Sequence, residues 1–178
     1  MPHFGPSGDV VFHADKDNST FAFRIHEDGT GQKKLGNNIS EVLGVTPDRK
    51  YAIEFVGTSG EHNAAATQAV PLAGGTSIPI CDRECFLRWQ GDGRLLHISV
   101  FTGMQSGGAY GRTYAVPLAP GKVFPQIPPL GFHSEAEISA LPGVRVIDAA
   151  DTAPGPTPDV YAFSRQAVQR NLYQIPLP

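Results

Sequence analysis

Two short stretches suggest nucleophilic chemistry by residue type. Gly57-Thr58-Ser59-Gly60 is followed closely by His62, and Gly103-Met104-Gln105-Ser106-Gly107 sets a second serine beside glycine. A nucleophilic serine needs a base in hydrogen-bond reach, and a nucleophile elbow needs G-x-S-x-G on a strand-to-helix turn. Neither stretch has that spacing, and neither precedes a helical pattern. Residues 57–63 are therefore read as a Gly/Ser/Asn loop, and no catalytic residue is assigned. For metal binding, His133, Glu135 and Glu137 place three potential ligands within five residues. On a strand they would share one face; the competing reading is a solvated strand or a helix start. The remaining histidines are scattered. Asp15, Asp17 and Asn18 resemble the opening of a calcium loop but lack its glycine and distal glutamate, so they are read as a hairpin loop. No cofactor is expected.

The glycine-rich stretch from Gly103 to Gly111 has no Lys-Ser/Thr pair and no following helix, which argues against phosphate binding. It is expected to be a mobile loop on one face of the fold, where Met104, Gln105 and Tyr110 are the candidate binding residues. Trp89 is expected to pack in the core. Cys81 and Cys85 are too few for a zinc site and lie one residue further apart than the C-x-x-C redox motif. They are read as two thiols near the boundary of two repeated units, a small disulfide across the turn being the alternative in an oxidising compartment.

The elements that would carry these residues are short and apolar, with turns between them. Gly 20 and Pro 16 make up about a fifth of the 178 residues, against an ordinary share of about 12%. They fall between β-type runs such as Asp9 to Ala14, Thr20 to Ile25, Tyr51 to Val56, Leu95 to Phe101 and Gly143 to Asp148. Helical periodicity is poor; the best candidate, Ser134 to Leu141, ends at Pro142, and residues 132–140 are read as an inner strand or a short helical turn. Tyr161 to Ser164 and Asn171 to Leu177 read as a closing hairpin.

One motif recurs. Tyr114-Ala115-Val116-Pro117-Leu118 echoes Gln68-Ala69-Val70-Pro71-Leu72, returns as Tyr173-Gln174-Ile175-Pro176-Leu177, and has a looser form at Phe21 to Gly29. Aligned on Ile25, Val70, Val116 and Ile175, the spacings are 45, 46 and 59 residues. A second landmark, the turn at Asp48 and again at Asp92, repeats after 44. A period in the mid-forties marks a four-stranded propeller blade. Proline cannot donate to a ladder, so Pro71, Pro117 and Pro176 are expected at strand ends near the blade rim.

Thr46-Pro47-Asp48-Arg49-Lys50-Tyr51-Ala52-Ile53, Trp89-Gln90-Gly91-Asp92-Gly93-Arg94 and Ile25-His26-Glu27-Asp28-Gly29-Thr30-Gly31 resemble the TolB-like β-propeller repeat, with Arg49 and Gln90-Gly91 as departures from it. The tail from Val168 to Leu177 is similar to the C-terminal propellers of acidobacterial-type serine/threonine kinases. The resemblance implies an all-β, partial β-propeller of about three and a half to four blades, grouped near residues 8–36, 40–80, 84–127 and 132–178. The first group lacks an obvious inner strand, and the last is expected to hold an insertion. Such a count suggests the C-terminal part of a longer propeller, so self-association or association with missing blades is expected. The implied function is a non-catalytic ligand- or protein-binding module of a bacterial, kinase-linked signalling protein. The alternative is a propeller that gates access to a peptidase or amidohydrolase domain.

Charge excludes other classes. With Lys+Arg 14 against Asp+Glu 17 and net charge −3, no basic stripe exists for nucleic acid. No apolar run approaches the roughly 18 residues of a membrane span, and Met1 to Pro6 has no signal-peptide anatomy. The chain by itself is expected in the cytoplasm; within a membrane-anchored parent it would lie outside.

Overall fold

A computed structural model describes residues 2–39, 41–57, 65–105 and 108–164. The protein is all-β. Three four-stranded antiparallel sheets follow one another, each a meander in chain order. The first holds β1 (His3–Phe4), β2 (Val10–Lys16), β3 (Ser19–Ile25) and β4 (Lys33–Ile39). The second holds β5 (Glu41–Val45), β6 (Tyr51–Gly57), β7 (Ala65–Pro71) and β8 (Ile78–Cys81). The third holds β9 (Cys85–Trp89), β10 (Leu95–Gln105), β11 (Gly108–Pro117) and β12 (Arg145–Ile147). A two-stranded hairpin, β13 (Ala153–Pro154) with β14 (Tyr161–Ala162), follows, and one short helix, α1 (Glu135–Ser139), lies between β11 and β12.

Period-two alternation decides how the sheets stack. On β6, Ala52 joins Val11, Ala22, Leu35, Val42 and Leu72 in a core between the first and second sheets. Its neighbour Ile53 points the other way and joins Ile80, Leu96, Ile98 and Val116 between the second and third. The second sheet is thus covered on both faces, which is why Ala52-Ile53-Glu54-Phe55 is buried without interruption. Burying each large aliphatic side chain contributes roughly 1.5–3 kcal/mol.

The turns repeat with the sheets. The Thr46 N–H donates to the Tyr51 carbonyl at 3.0 Å, and the Gln90 N–H to the Leu95 carbonyl at 2.9 Å. Asp48 and Asp92 each accept the backbone N–H two residues on, at 3.2 and 3.0 Å. After each Val-Pro-Leu strand the leucine N–H bonds back to the same turn: Leu72 to the Lys50 carbonyl and Leu118 to that of Arg94, both at 2.8 Å. The Pro-rich stretch after Asp151 contains the same closure, from the Gly155 N–H to the Val160 carbonyl at 2.7 Å. Pro71 and Pro117 each end their strand, as expected for residues that cannot donate; Pro176 lies outside the described residues.

Four readings change. Cys81 and Cys85 are joined in a disulfide, with Cα atoms 6.3 Å apart, and are not free thiols. The bond closes the crossing from β8 to β9, where the Thr67 hydroxyl accepts the Cys85 N–H at 2.8 Å. The first sheet has its inner strand after all: β1 precedes Asp9 and pairs His3 with Val11. Two residues were too short to show a pattern. The strand at 145–147 belongs to the third sheet, paired with Thr113 to Ala115, so the insertion lies between β11 and β12. That leaves the described residues of the final group only the β13–β14 hairpin. The stretch from Gly103 to Gly111 is mostly strand, because β10 and β11 run on past a bulge at Phe101/Gly103. The loop at Asp17-Asn18 is a tight hairpin with both residues at positive φ, a geometry their short polar side chains tolerate.

Candidate functional site

The extended hairpin of β10 and β11 places one end of the third sheet beside helix α1. Ser134 caps the helix, its hydroxyl accepting the Glu137 N–H, while Glu137 turns back to accept the His133 N–H at 2.7 Å. His133 Nδ1 lies 3.1 Å from Asp82 Oδ2. Glu135 points elsewhere, to the hydroxyl of Tyr114, which donates to it. His133, Glu135 and Glu137 therefore sit around a helix start, not along a strand face, and each has a separate partner. Among the described residues no group of three His, Cys, Asp or Glu side chains could hold a metal ion.

Glu135 instead joins Thr102, Tyr110, Gly111, Arg112 and Asp148 around an open cleft of about 410 Å³. Two residues singled out for different reasons, Tyr110 and Glu135, thus meet here. Arg112 lies between two carboxylates, its Nη1 3.9 Å from Glu135 and its Nε 3.6 Å from Asp148. The Tyr114 hydroxyl and the Glu135 carboxylate raise the Arg112 pKa further, so it remains a cation. Tyr114 is shifted upward by burial and by the Glu135 carboxylate, so its phenol remains a donor. Tyr110 is 45% exposed and packs close over the neighbouring strand. A Cβ on Gly103 would stand 2.5 Å from its hydroxyl, and a Cβ on Gly111 would stand 2.1 Å from the Val100 carbonyl. The glycines thus let the two strands and the tyrosine ring approach closely. Sequence reasoning missed Arg112 and Asp148, since their partnership depends on a β11–β12 pairing that bridges a long insertion.

Met104 pairs with Ala109 and Gln105 with Gly108 in the ladder; their side chains are outside what the structure describes. Ser59 and His62 lie outside the described residues. Trp89 is half-buried, donates its indole N–H to the Val123 carbonyl at 2.7 Å, and packs edge-on against Phe124 of the insertion.

Three buried polar positions belong to packing. Asp9 gathers Arg24, at 3.2 Å, and His26 Nδ1, tying the first turn to β3. On the far face of the third sheet, His97 Nδ1 meets the Thr152 hydroxyl at 2.7 Å, and burial lowers its pKa. Glu54, fully buried between the first two sheets, has the Gln68 amide as its one partner among the described residues, at 3.3 Å. Burial pushes its pKa up to about 7, which the Gln68 bond partly opposes.

No family model, curated protein or solved structure matches the chain.

Proposed function

We propose that the chain is a non-catalytic binding module built of β-propeller blades, the sensor or interaction part of a kinase-linked bacterial signalling protein. The repeated meander, with one turn closure recurring at Thr46, Gln90 and Gly155, supports the blade reading. The Cys81–Cys85 disulfide supports an oxidising compartment, as for a domain carried outside the cell by a membrane-anchored parent.

The observation that carries the binding role is the pair Tyr110 and Arg112. Both are about half exposed; the Tyr110 ring lies over the bare backbone of Gly103, and Arg112 lies between Glu135 and Asp148. Exposed tyrosine and arginine side chains are the residue types that dominate protein interfaces. The cleft thus reads as the anchor point for a protein partner.

A photo-crosslinking residue at Thr102, on the rim of the cleft, would capture that partner, and its affinity is then measured by calorimetry. Tyr110→Ala and Arg112→Ala should each weaken binding by tenfold or more, which is about 1.4 kcal/mol or above. Unchanged affinity in both variants would place the interface elsewhere.

A further inference from the structure

The two gaps between consecutive sheets are filled differently. Between the second and third sheets, the insertion supplies Phe132 and Ile138 to the core and packs Phe124 against it. Between the first and second sheets, among the described residues, a cavity of about 390 Å³ remains. Leu35 of β4, Val56 of β6 and Val70 of β7 form its apolar wall. Gly36 lines it too, at φ 59, and a Cβ there would meet no atom nearer than Val70 Cγ1, at 3.9 Å, so the space beside β4 is open. Lys33, Thr76 and Ser77 stand on the rim.

We propose that this cavity binds an aliphatic carboxylate, its charged head on Lys33 and its hydrocarbon body against Leu35, Val56 and Val70. Strand register directs Lys33 at the gap. Lys33 pairs with Arg24, and Arg24 pairs with Val11; paired residues of a ladder share a face. Val11 lies in the core between the first two sheets. Arg24 spans the gap on that same face, donating to the Leu72 carbonyl at 3.0 Å. Lys33 spans it as well: a Cβ on Gly74, in the turn after β7, would lie 3.8 Å from its Nζ. Gly74 itself lines the cavity, so the ammonium group stands at the mouth.

That cation lacks an anion. Among the described residues Lys33 has no carboxylate partner, whereas its neighbour Lys34 is committed to the Phe21 ring, 3.4 Å from the centroid. A carboxylate at the mouth would pair with Lys33 and accept from the hydroxyls of Thr76 and Ser77, and hydrogen bonds between ionised groups are the stronger kind. One ammonium matches one negative charge. The wall behind it offers no second charge, and burying a charge unpaired is costly, so the rest of the ligand must be apolar. Its methylenes gain by leaving water for Leu35, Val56 and Val70. The volume is within the range of small-molecule sites. This cavity lies between the first and second sheets and shares no lining residue with the Tyr110 cleft of the third, so it adds a second ligand to the binding role.

The test uses the full chain with butanoate, hexanoate and octanoate, and with octan-1-ol and octylamine as controls for the head group, each titrated by calorimetry. Octanoate should bind at least tenfold more tightly than butanoate, because its extra methylenes are buried, and at least tenfold more tightly than either control. Lys33→Met should weaken octanoate by tenfold or more and leave octan-1-ol unchanged, while Lys33→Arg should retain the preference for the carboxylate. The methyl resonances of Leu35, Val56 and Val70 should move as octanoate is added. Absence of binding across the series, a control that binds as tightly as octanoate, an octanoate affinity untouched by Lys33→Met, or methyl shifts confined to other residues would each overturn the proposal. Lys33 is exposed, so both variants should fold, which their melting midpoints without ligand verify.

Discussion

Glu54→Gln should make this protein more stable at neutral pH and leave it unchanged in mild acid. Glu54 is fully buried, and its pKa rises from 4.5 to about 7, mainly through burial. Among the described residues the compensation is the Gln68 amide, which lowers it only in part. Below about pH 4.5 the carboxyl is protonated in both folded and unfolded chains and contributes no penalty. Between 4.5 and 7 the unfolded chain ionises while the folded one resists, so the folded state loses stability as pH rises. At about 1.4 kcal/mol per pH unit the loss amounts to roughly 3 kcal/mol once pH exceeds 7. That is a large share of the ordinary 5–15 kcal/mol of a folded domain.

Urea unfolding of the wild-type chain and the variant, followed from pH 4.5 to 8, would read this directly. The two curves should meet near pH 4.5 and diverge to roughly 3 kcal/mol at pH 8. Ile98 occupies the register position in the third sheet that Glu54 occupies in the second, since Glu54 pairs with Gln68 as Ile98 pairs with Tyr114. Glu54→Ile should therefore give a similar gain. Parallel curves, or a variant less stable than wild type at pH 8, would refute the argument, because they would mean that Glu54 is ionised at no cost or has a donor besides Gln68.

His97 acts in the opposite direction: its pKa is lowered by burial, so the unfolded chain takes up its proton at higher pH than the folded one. Its own contribution to stability should fall as pH drops below 6.5, opposing that of Glu54, and the urea midpoint of His97→Phe should rise relative to wild type as pH falls through that range. Reducing the Cys81–Cys85 bond, which spans a sequence separation of 4, should cost about 2 kcal/mol by loop entropy, seen as a lower urea midpoint with dithiothreitol; an unchanged midpoint would show that the crossing is held by packing alone. Arg49 has φ 56 where the matching turn has Gly93 at φ 71, so Arg49→Gly should gain about 0.5–1 kcal/mol, measured by thermal melting. Val146, Val160 and Phe163 are each half exposed, so the chain should self-associate or bind a hydrophobic dye, and a dye-negative monomer in analytical ultracentrifugation would contradict an open row of sheets.

What the sequence reveals depends on how local the determinant is. The turns at Asp48 and Asp92 are legible because one side chain accepting an N–H two residues on is a local event. The Val-Pro-Leu strands are legible because proline can sit only where a ladder ends. The two-residue β1 is not legible, since its place is given by its partner Val11 and not by a pattern of its own. The insertion misleads by position: alignment on Val116 and Ile175 counts the extra residues in the last repeat, whereas Ile147 returns to Thr113 in the sheet before it. In the candidate cleft, Tyr110 could be picked out as an aromatic beside glycines. Arg112 and Asp148 could not, because they are ordinary charged residues until β12 pairs with β11. Glu54 sits in an apolar run, and the alternating pattern that would have marked it as buried was available. That its Oε1 lacks a donor among the described residues is visible only once both sheets are in place.

The repeat itself explains why the two gaps differ in chemistry. Gln68 and Tyr114 occupy the same register position on successive sheets, and each holds a carboxylate: Gln68 that of Glu54 from the neighbouring strand, Tyr114 that of Glu135 from the insertion. In the third sheet the carboxylate arrives from outside, with Arg112 beside it, and the position it might have taken on β10 is filled by Ile98. In the second sheet no segment of the described residues arrives, and the carboxylate is built into β6. The same backbone slot therefore yields a satisfied, surface-linked network in one gap and a partly unsatisfied acid in the other. A scaffold made of near-identical sheets acquires distinct sites in this way, by changing which element supplies the partner while the register stays constant.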